Sequence, residues 1–218
     1  MIVGVHTPEF AFERDTQNVR NAIKQFNITY PVAQDNDFQT WGGYQNHYWP
    51  AEYLIDAKGH IRRTHFGEGS YDHMEEAIRA LLKVKGNTFE GAPSSIKDQT
   101  PGYGITPETY LGTRRMQRID SPVFFQGTWE RQAEFAKSVS PSAALELKFK
   151  ACKVFLVVGP AHAGDKIKVL VDTKLMGEII LDNQRLYEII DLTGAVETHT
   201  LRLEFPDQGT SVYAFTFG

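Results

Sequence analysis

Tyr48-Trp49-Pro50-Ala51-Glu52-Tyr53-Leu54-Ile55-Asp56-Ala57-Lys58-Gly59 is the stretch whose reading decides the first half of this 218-residue chain. A proline has no amide hydrogen and suits the start or the edge of a strand, so the β-favouring run Ala51 to Ile55 reads as a strand opening at Pro50. Asp56-Ala57-Lys58-Gly59 then supplies a hairpin turn in which glycine can take a positive φ, and His60 to Phe66 returns as the partner strand.

Working outward, Ile2-Val3-Gly4-Val5 is an apolar run without helical spacing, which suits a buried strand of a parallel or mixed sheet. His6-Thr7-Pro8-Glu9-Phe10 breaks it. A helix is expected from about Asp15, with Val19, Ala22, Ile23 and Phe26 at i, i+3, i+4 and i+7. A second, short helix is expected over Asp35 to Tyr44, ending near Gly42-Gly43. After the hairpin, Ser70 can cap a last helix that carries Met74, Ala77, Ile78, Leu81 and Leu82 on one face.

From Lys85 to about Pro122 the pattern dissolves into Gly, Pro, Ser and Thr, as in Ala92-Pro93-Ser94-Ser95. So long a stretch without regular structure favours a domain boundary. Beyond it the period changes from 3.6 to 2. Leu145, Leu147 and Phe149 alternate with Glu146, Lys148 and Lys150, and Leu201, Leu203 and Phe205 alternate with Arg202 and Glu204. Further runs at Val154 to Val158, Lys166 to Asp172, Gly177 to Leu181, Leu186 to Leu192 and Val212 to Phe217 make seven or eight short strands, a β-sandwich or jelly roll. The expected organisation is an α/β domain over 1–85, a linker over 86–122 and an all-β domain over 123–218.

The net charge of −4 offers no basic footprint, so nucleic acid is not expected as a partner. No apolar run approaches the roughly 20 residues that span a bilayer, and no basic-then-apolar leader opens the chain. The single cysteine, Cys152, excludes an internal disulfide and a dithiol redox centre within one copy of this sequence.

Val3-Gly4-Val5-His6-Thr7-Pro8-Glu9-Phe10 and Tyr48 to Gly59 together resemble the extracytoplasmic part of DipZ-type thiol–disulfide proteins. Phe66-Gly67-Glu68-Gly69, Pro107-Glu108-Thr109-Tyr110-Leu111-Gly112, Arg185-Leu186-Tyr187 and Tyr213-Ala214-Phe215-Thr216-Phe217-Gly218 extend the resemblance over nearly the whole chain. It implies a thioredoxin-like domain of the TlpA and redoxin type, followed by a β-sandwich similar to carbohydrate-binding modules, both in the periplasm or otherwise outside the cytoplasmic membrane. It also implies a thiol or disulfide protein partner, or a membrane electron donor. The family pattern places a strand and a Cys-x-x-Cys helix just before the segment equivalent to Ile2 to Val5. This sequence begins after that unit and has neither redox cysteine.

Thiol–disulfide exchange needs a thiolate to attack a sulfur and a second cysteine to resolve the mixed disulfide, which a lone Cys152 cannot do. Cys152 is favoured as a small packed residue over a thiol activated by Lys150 and Lys153. For Trp49-Pro50 the ordinary reading is a trans proline entering an edge strand. The resemblance implies instead a cis proline whose neighbouring backbone docks substrate. His47 could lie beside that site, although an ordinary surface or core histidine is the commoner case. Glu52 is either a proton-handling carboxylate or the polar face of a strand. His60 and His65, five apart in a strand, fall on opposite faces and do not suit joint metal ligation. No metal and no cofactor are expected.

In the sandwich, Trp129, Tyr187 and Tyr213 are candidates to stack on a sugar ring, set against the commoner role of such aromatics in packing. Asp165, Asp172 and Asp182 suit turns as readily as calcium. Two functions stand. One is the C-terminal portion of an extracytoplasmic thiol–disulfide oxidoreductase, inactive alone for want of its cysteines. The other is a non-catalytic binding or scaffold protein that recognises a glycan or a protein through the sandwich. Loss of a central strand exposes apolar side chains at about 1.5–3 kcal/mol each. Homodimerisation through the incomplete sheet, a rearranged N-terminus or reliance on the second domain is the expected remedy.

Overall fold

The computed structural model describes residues 1–84, 91–98, 104–115, 123–193 and 196–218. Three pieces of the expected linker, residues 86–90, 99–103 and 116–122, lie outside the described residues. The chain forms two compact units, residues 1–101 and 102–218.

In the first unit β1 (Gly4–His6) leads through a turn of 3-10 helix (Ala11–Arg14) to α1 (Thr16–Gln25), β2 (Val32–Gln34) and α2 (Gln39–Gly43). The hairpin β3 (Ala51–Ile55) and β4 (Ile61–Phe66) follows, then α3 (Tyr71–Val84). Asp15 caps α1 by accepting from the Gln17 amide at 2.7 Å. The hairpin turn is locked by Asp56, whose carboxylate accepts from the amides of His60 and Lys58 and from Arg62 Nε. Those bonds, the one from His60 foremost, hold the Asp56 carboxyl well below its ordinary range. Gly59 takes φ +85°, as the turn requires.

β1 pairs with β2 in parallel, Gly4 opposite Val32, and β3 pairs with β4 antiparallel, Ala51 opposite Phe66. Among the described residues no pairing joins these two ribbons. The consequence is a unit almost without a core: Phe10 and Val19 are its buried hydrophobic side chains among the described residues. The expectation of a buried strand over Ile2 to Val5 fails. Ile2, Val3 and Val5 are 65%, 51% and 46% exposed, because β1 has a neighbouring strand on one side only. The α1 stripe is likewise covered at Val19 but open at Phe26. Residues 91–94 lie along α3, where Arg79 donates to the Gly91 and Ala92 carbonyls and Glu75 accepts from the Ser94 amide.

The second unit is built from β5 (Thr109–Tyr110), β6 (Phe124–Gln126), β7 (Trp129–Arg131), β8 (Ala136–Ser138), β9 (Ala143–Lys150) and β10 (Lys153–Gly159). β11 (Lys166–Val171), β12 (Lys174–Ile180), β13 (Arg185–Asp191), β14 (Thr198–Phe205) and β15 (Ser211–Phe217) complete it. One sheet runs β13-β10-β15-β8-β7, with β5 also on β15, and the other runs β12-β11-β14-β9-β6. Leu145, Leu147, Phe149, Leu201, Leu203 and Phe205 point inward from the second sheet onto Val154, Leu156, Val158 and Phe215 of the first, all at most 1% exposed. The period-2 alternation is thus realised as a two-sheet core.

Part of the stretch read as linker belongs to this unit. Leu111 is 1% exposed and its amide donates to the Tyr213 carbonyl at 2.7 Å. Gly112 runs so close to the neighbouring chain that a Cβ on it would lie 2.3 Å from the Glu134 carbonyl carbon.

Candidate functional site

Trp49 and Pro50 stand at the head of β3, both exposed, and the peptide between them is cis. Pro50 has no amide hydrogen, and its carbonyl accepts from the Gly67 amide at 2.9 Å. The main-chain N–H and C=O of Trp49 have no hydrogen-bond partner among the described residues. Its side chain, in contrast, is firmly placed. The indole N–H donates to the Thr7 carbonyl at 3.2 Å, and the ring packs on Trp41 with centroids 4.2 Å apart.

Asp35, just beyond β2, organises that placement. Its amide donates to the His6 carbonyl at the end of β1, and its carboxylate accepts from the Trp41 and Thr40 amides and the Thr7 hydroxyl. Burial pushes the Asp35 carboxyl up, but the hydrogen bonds from Trp41, Thr40 and Thr7 outweigh it and leave the group below its ordinary value. Thr7, Asp35 and Trp41 are the residues that reading the sequence missed. An aspartate placed between a strand and a short helix was the available signal, since its carboxylate can satisfy the free amides at a helix start.

A tract of aromatic rings continues from Trp49 along the hairpin. Tyr48 lies 5.2 Å from Phe66, Phe66 lies 6.1 Å from Tyr53, and Tyr53 lies 4.8 Å from Tyr44, centroid to centroid. Tyr48, Phe66 and Tyr44 remain 57%, 44% and 39% exposed. Asn46, buried beneath them, accepts from the Tyr53 hydroxyl and donates to the Tyr48 carbonyl. His47 is exposed with its ring 6.4 Å from that of Tyr48, on the tract rather than in a proton-transfer network. Glu52 is exposed and opposite His65 in the ladder. His6 Nδ1, Arg63 Nε and His65 Nε2 are buried atoms without partners among the described residues, and burial lowers the His6 pKa.

The three aromatics expected to meet sugar are not brought together on an open face. Trp129 packs edge-on against Phe125 and Phe205, with its indole N–H donating to the Gln126 carbonyl. Tyr187 is 4% exposed. Its hydroxyl accepts from the Asp182 and Asn183 amides and lies 2.5 Å from the Asp182 carboxylate, while Arg185 covers its ring at 3.8 Å. That hydroxyl, ahead of Arg185, draws the Asp182 carboxyl down to about 2. Tyr213 is 5% exposed and receives the Gln184 amide, and its burial pushes the phenol up to about 12. All three hold the sandwich together.

Asp172 is paired with His199, and Asp165 accepts from the Ala161 and His162 amides, so both serve turns. No group of three metal-ligating side chains occurs among the described residues. Nor is any helix among them long and apolar enough to cross a membrane. Cys152 is half-buried between β9 and β10, its amide donating to the Gly218 carbonyl.

Residues 122–218 match the family described as thioredoxin like C-terminal domain. Protein DipZ of Mycobacterium bovis is 34% identical over 240 residues, covering 100% of this chain and 34% of that protein, and DipZ of Mycobacterium tuberculosis matches to the same extent. The chain therefore spans about a third of the length of these relatives. The thiol-disulfide oxidoreductase YkuV of Bacillus subtilis is 26% identical over 81 residues, covering 37% of this chain and 55% of that protein. Over its whole length the chain is thus similar to one third of protein DipZ, and its residues 122–218 match the thioredoxin like C-terminal domain family.

Proposed function

We propose that this chain is the C-terminal, substrate-docking part of an extracytoplasmic thiol–disulfide oxidoreductase. Its first unit is a thioredoxin-like domain that lacks one strand and the helix bearing Cys-x-x-Cys. The observation that carries the reading is the unpaired architecture of the first unit. Among the described residues β1 and β3 each have a strand partner on one side only, and the two ribbons meet at the Trp49–Thr7 hydrogen bond instead of at a shared strand.

An extended segment entering beside β1 and β3 would satisfy their free edges and cover Val3 and Val5. A Cys-x-x-Cys turn at the end of that segment would reach the unpartnered backbone of Trp49. There its thiolate would attack a partner's disulfide sulfur, one partner thiolate would leave, and the second cysteine would resolve the mixed disulfide. Electrons would come from a membrane donor or a thiol protein. Alone, with Cys152 as its only cysteine, the chain cannot complete that cycle. The sandwich, fully packed on its own, serves as a carbohydrate-binding-module-like companion domain.

The test compares reduction of a disulfide peptide by the chain alone, by its Cys152→Ser variant, and by the chain extended at residue 1 with a strand, Cys-x-x-Cys turn and helix from a mycobacterial DipZ. Background turnover by the first two and exchange at least about a hundredfold faster by the third is the expected result. Turnover by the chain alone, or a folded but inert extended form, overturns the proposal.

A further inference from the structure

The side chains around Trp49 also define what kind of segment can dock there, an inference that rests on the docking function proposed above. Two observations, apart from the backbone, bear on it. The first is the tract of Tyr48, Phe66 and Tyr44, exposed although each ring is already in contact with another aromatic. Exposed apolar area concentrated in one patch marks a binding surface more often than the same area scattered singly. Two of its rings border Trp49-Pro50: Tyr48 is the residue before Trp49, and Phe66 is followed by Gly67, whose amide donates to the Pro50 carbonyl. The rings therefore flank the same stretch of main chain whose N–H and C=O have no partner among the described residues.

The second observation is the sign of the charge carried just beyond Phe66. Glu68, two residues past Phe66, accepts from the Tyr71 hydroxyl at 3.0 Å, and Asp98 accepts from the Ser70 amide at 3.3 Å. Both carboxylates act on Tyr71, so they share one neighbourhood, and both residues are exposed. From Tyr44 to Asp72 the sequence supplies Glu52, Asp56, Glu68 and Asp72 against Lys58, Arg62 and Arg63, of which Arg62 is already bonded to Asp56.

We propose that Tyr48 and Phe66 determine the specificity of the docking site, which takes an extended peptide carrying an aromatic or large aliphatic side chain followed by a lysine or arginine. The apolar side chain lies on the Tyr48 and Phe66 rings, and the cation points to Glu68 and Asp98. An acidic segment is disfavoured at the same place. The backbone of Trp49 reads the extended conformation, and the rings and carboxylates read the side chains, the division of labour by which strand-addition sites obtain affinity and specificity.

The test titrates the full chain with a blocked peptide, Ser-Thr-Phe-Ser-Lys-Thr-Ser, and with its Phe-to-Ser and Lys-to-Glu versions, at low and at high salt. The Phe-to-Ser change is expected to weaken binding at least about fivefold, the size of one good ring contact. The Lys-to-Glu change is expected to weaken it about threefold or more at low salt and much less at 0.5 M salt, about the ionic strength at which exposed charges are screened within a few ångströms. Phe66→Ser and, independently, the more exposed Tyr48→Ser should abolish discrimination between the Phe and Ser peptides. Glu68→Gln should reduce discrimination between the Lys and Glu peptides. Equal binding of all three peptides overturns the specificity proposal and leaves docking at Trp49 standing. Binding of none overturns both.

Discussion

The indole N–H of Trp49 donates to the carbonyl of Thr7, so the head of β3 is tied to the end of β1 by a side chain where, among the described residues, no strand pairing joins them. Thr7 is in turn held by Asp35, whose carboxylate also accepts from the Trp41 amide, so one carboxylate positions Thr7 directly and Trp49 through the Trp41 ring on which it packs. The folded arrangement of the first unit depends on these few polar contacts because its apolar side chains bury so little.

Asp35→Asn should therefore destabilise the first unit by about 1–2 kcal/mol, the usual loss for weakened charge-assisted hydrogen bonds to amides. Tryptophan fluorescence during urea unfolding measures it. The folded-state pKa of Asp35 is lowered, so its contribution is complete above the ordinary carboxylate range and is lost as pH falls through the folded-state value. The first transition should be insensitive to this group above about pH 5 and weaken below about pH 4 in the parent, with less acid dependence in Asp35→Asn.

Tyr187→Phe leaves the Asp182 and Asn183 amides without their shared acceptor and should cost the sandwich about 1–3 kcal/mol. Calorimetry at neutral pH gives the loss. Asp182, drawn down to about 2 chiefly by this hydroxyl, contributes stability that fades as pH falls from about 4 toward 2. That acid sensitivity should diminish in the variant.

Gly112→Ala should be severe for so small a change. The added methyl would meet main-chain atoms of Ala133 and Glu134, which cannot swing aside as a side chain would. A loss of about 2–4 kcal/mol from the sandwich is expected, in the range of other overpacked sites. Exposure of residues 109–113 to limited proteolysis is the second readout.

Thermal unfolding of the chain should occur in two steps. The sandwich encloses a continuous core from Leu111 to Phe217, whereas the first unit buries Phe10 and Val19 among its described hydrophobic side chains. Calorimetry should show the first unit melting well below the second. Phe205→Ala, which opens a cavity beside Trp129, should lower only the upper transition, by an amount equivalent to about 3–5 kcal/mol.

Much of this was legible in the amino-acid order. Strict alternation at Leu145, Leu147 and Phe149 and at Leu201, Leu203 and Phe205 announces strands with one buried face, and Asp56 to Gly59 announces its hairpin. The exposure of Ile2, Val3 and Val5 was not legible locally, because β-branched runs look the same whether or not a second strand covers them. Tyr187 and Tyr213 were misleading for a related reason. Composition shows an aromatic ring with a polar tip, but only the fold shows that the tip is spent on Asp182, Asn183 and Gln184. Of the Trp49 network only Asp35 left a signal, because Thr7 lies 28 residues from Asp35 and 42 from Trp49, and the Thr7 carbonyl and Trp41 amide that it uses are main-chain groups carrying no mark in the sequence.

Amide hydrogen exchange, followed by mass spectrometry on the chain alone and on the chain extended with the strand and Cys-x-x-Cys helix, tests the central claim most directly. The account expects Gly4 to His6 and Ala51 to Ile55 to exchange orders of magnitude faster than β9 and β14 in the chain alone, and both segments to gain protection together in the extended form. Full protection of β1 and β3 in the chain alone, or no gain in either on extension, would contradict it.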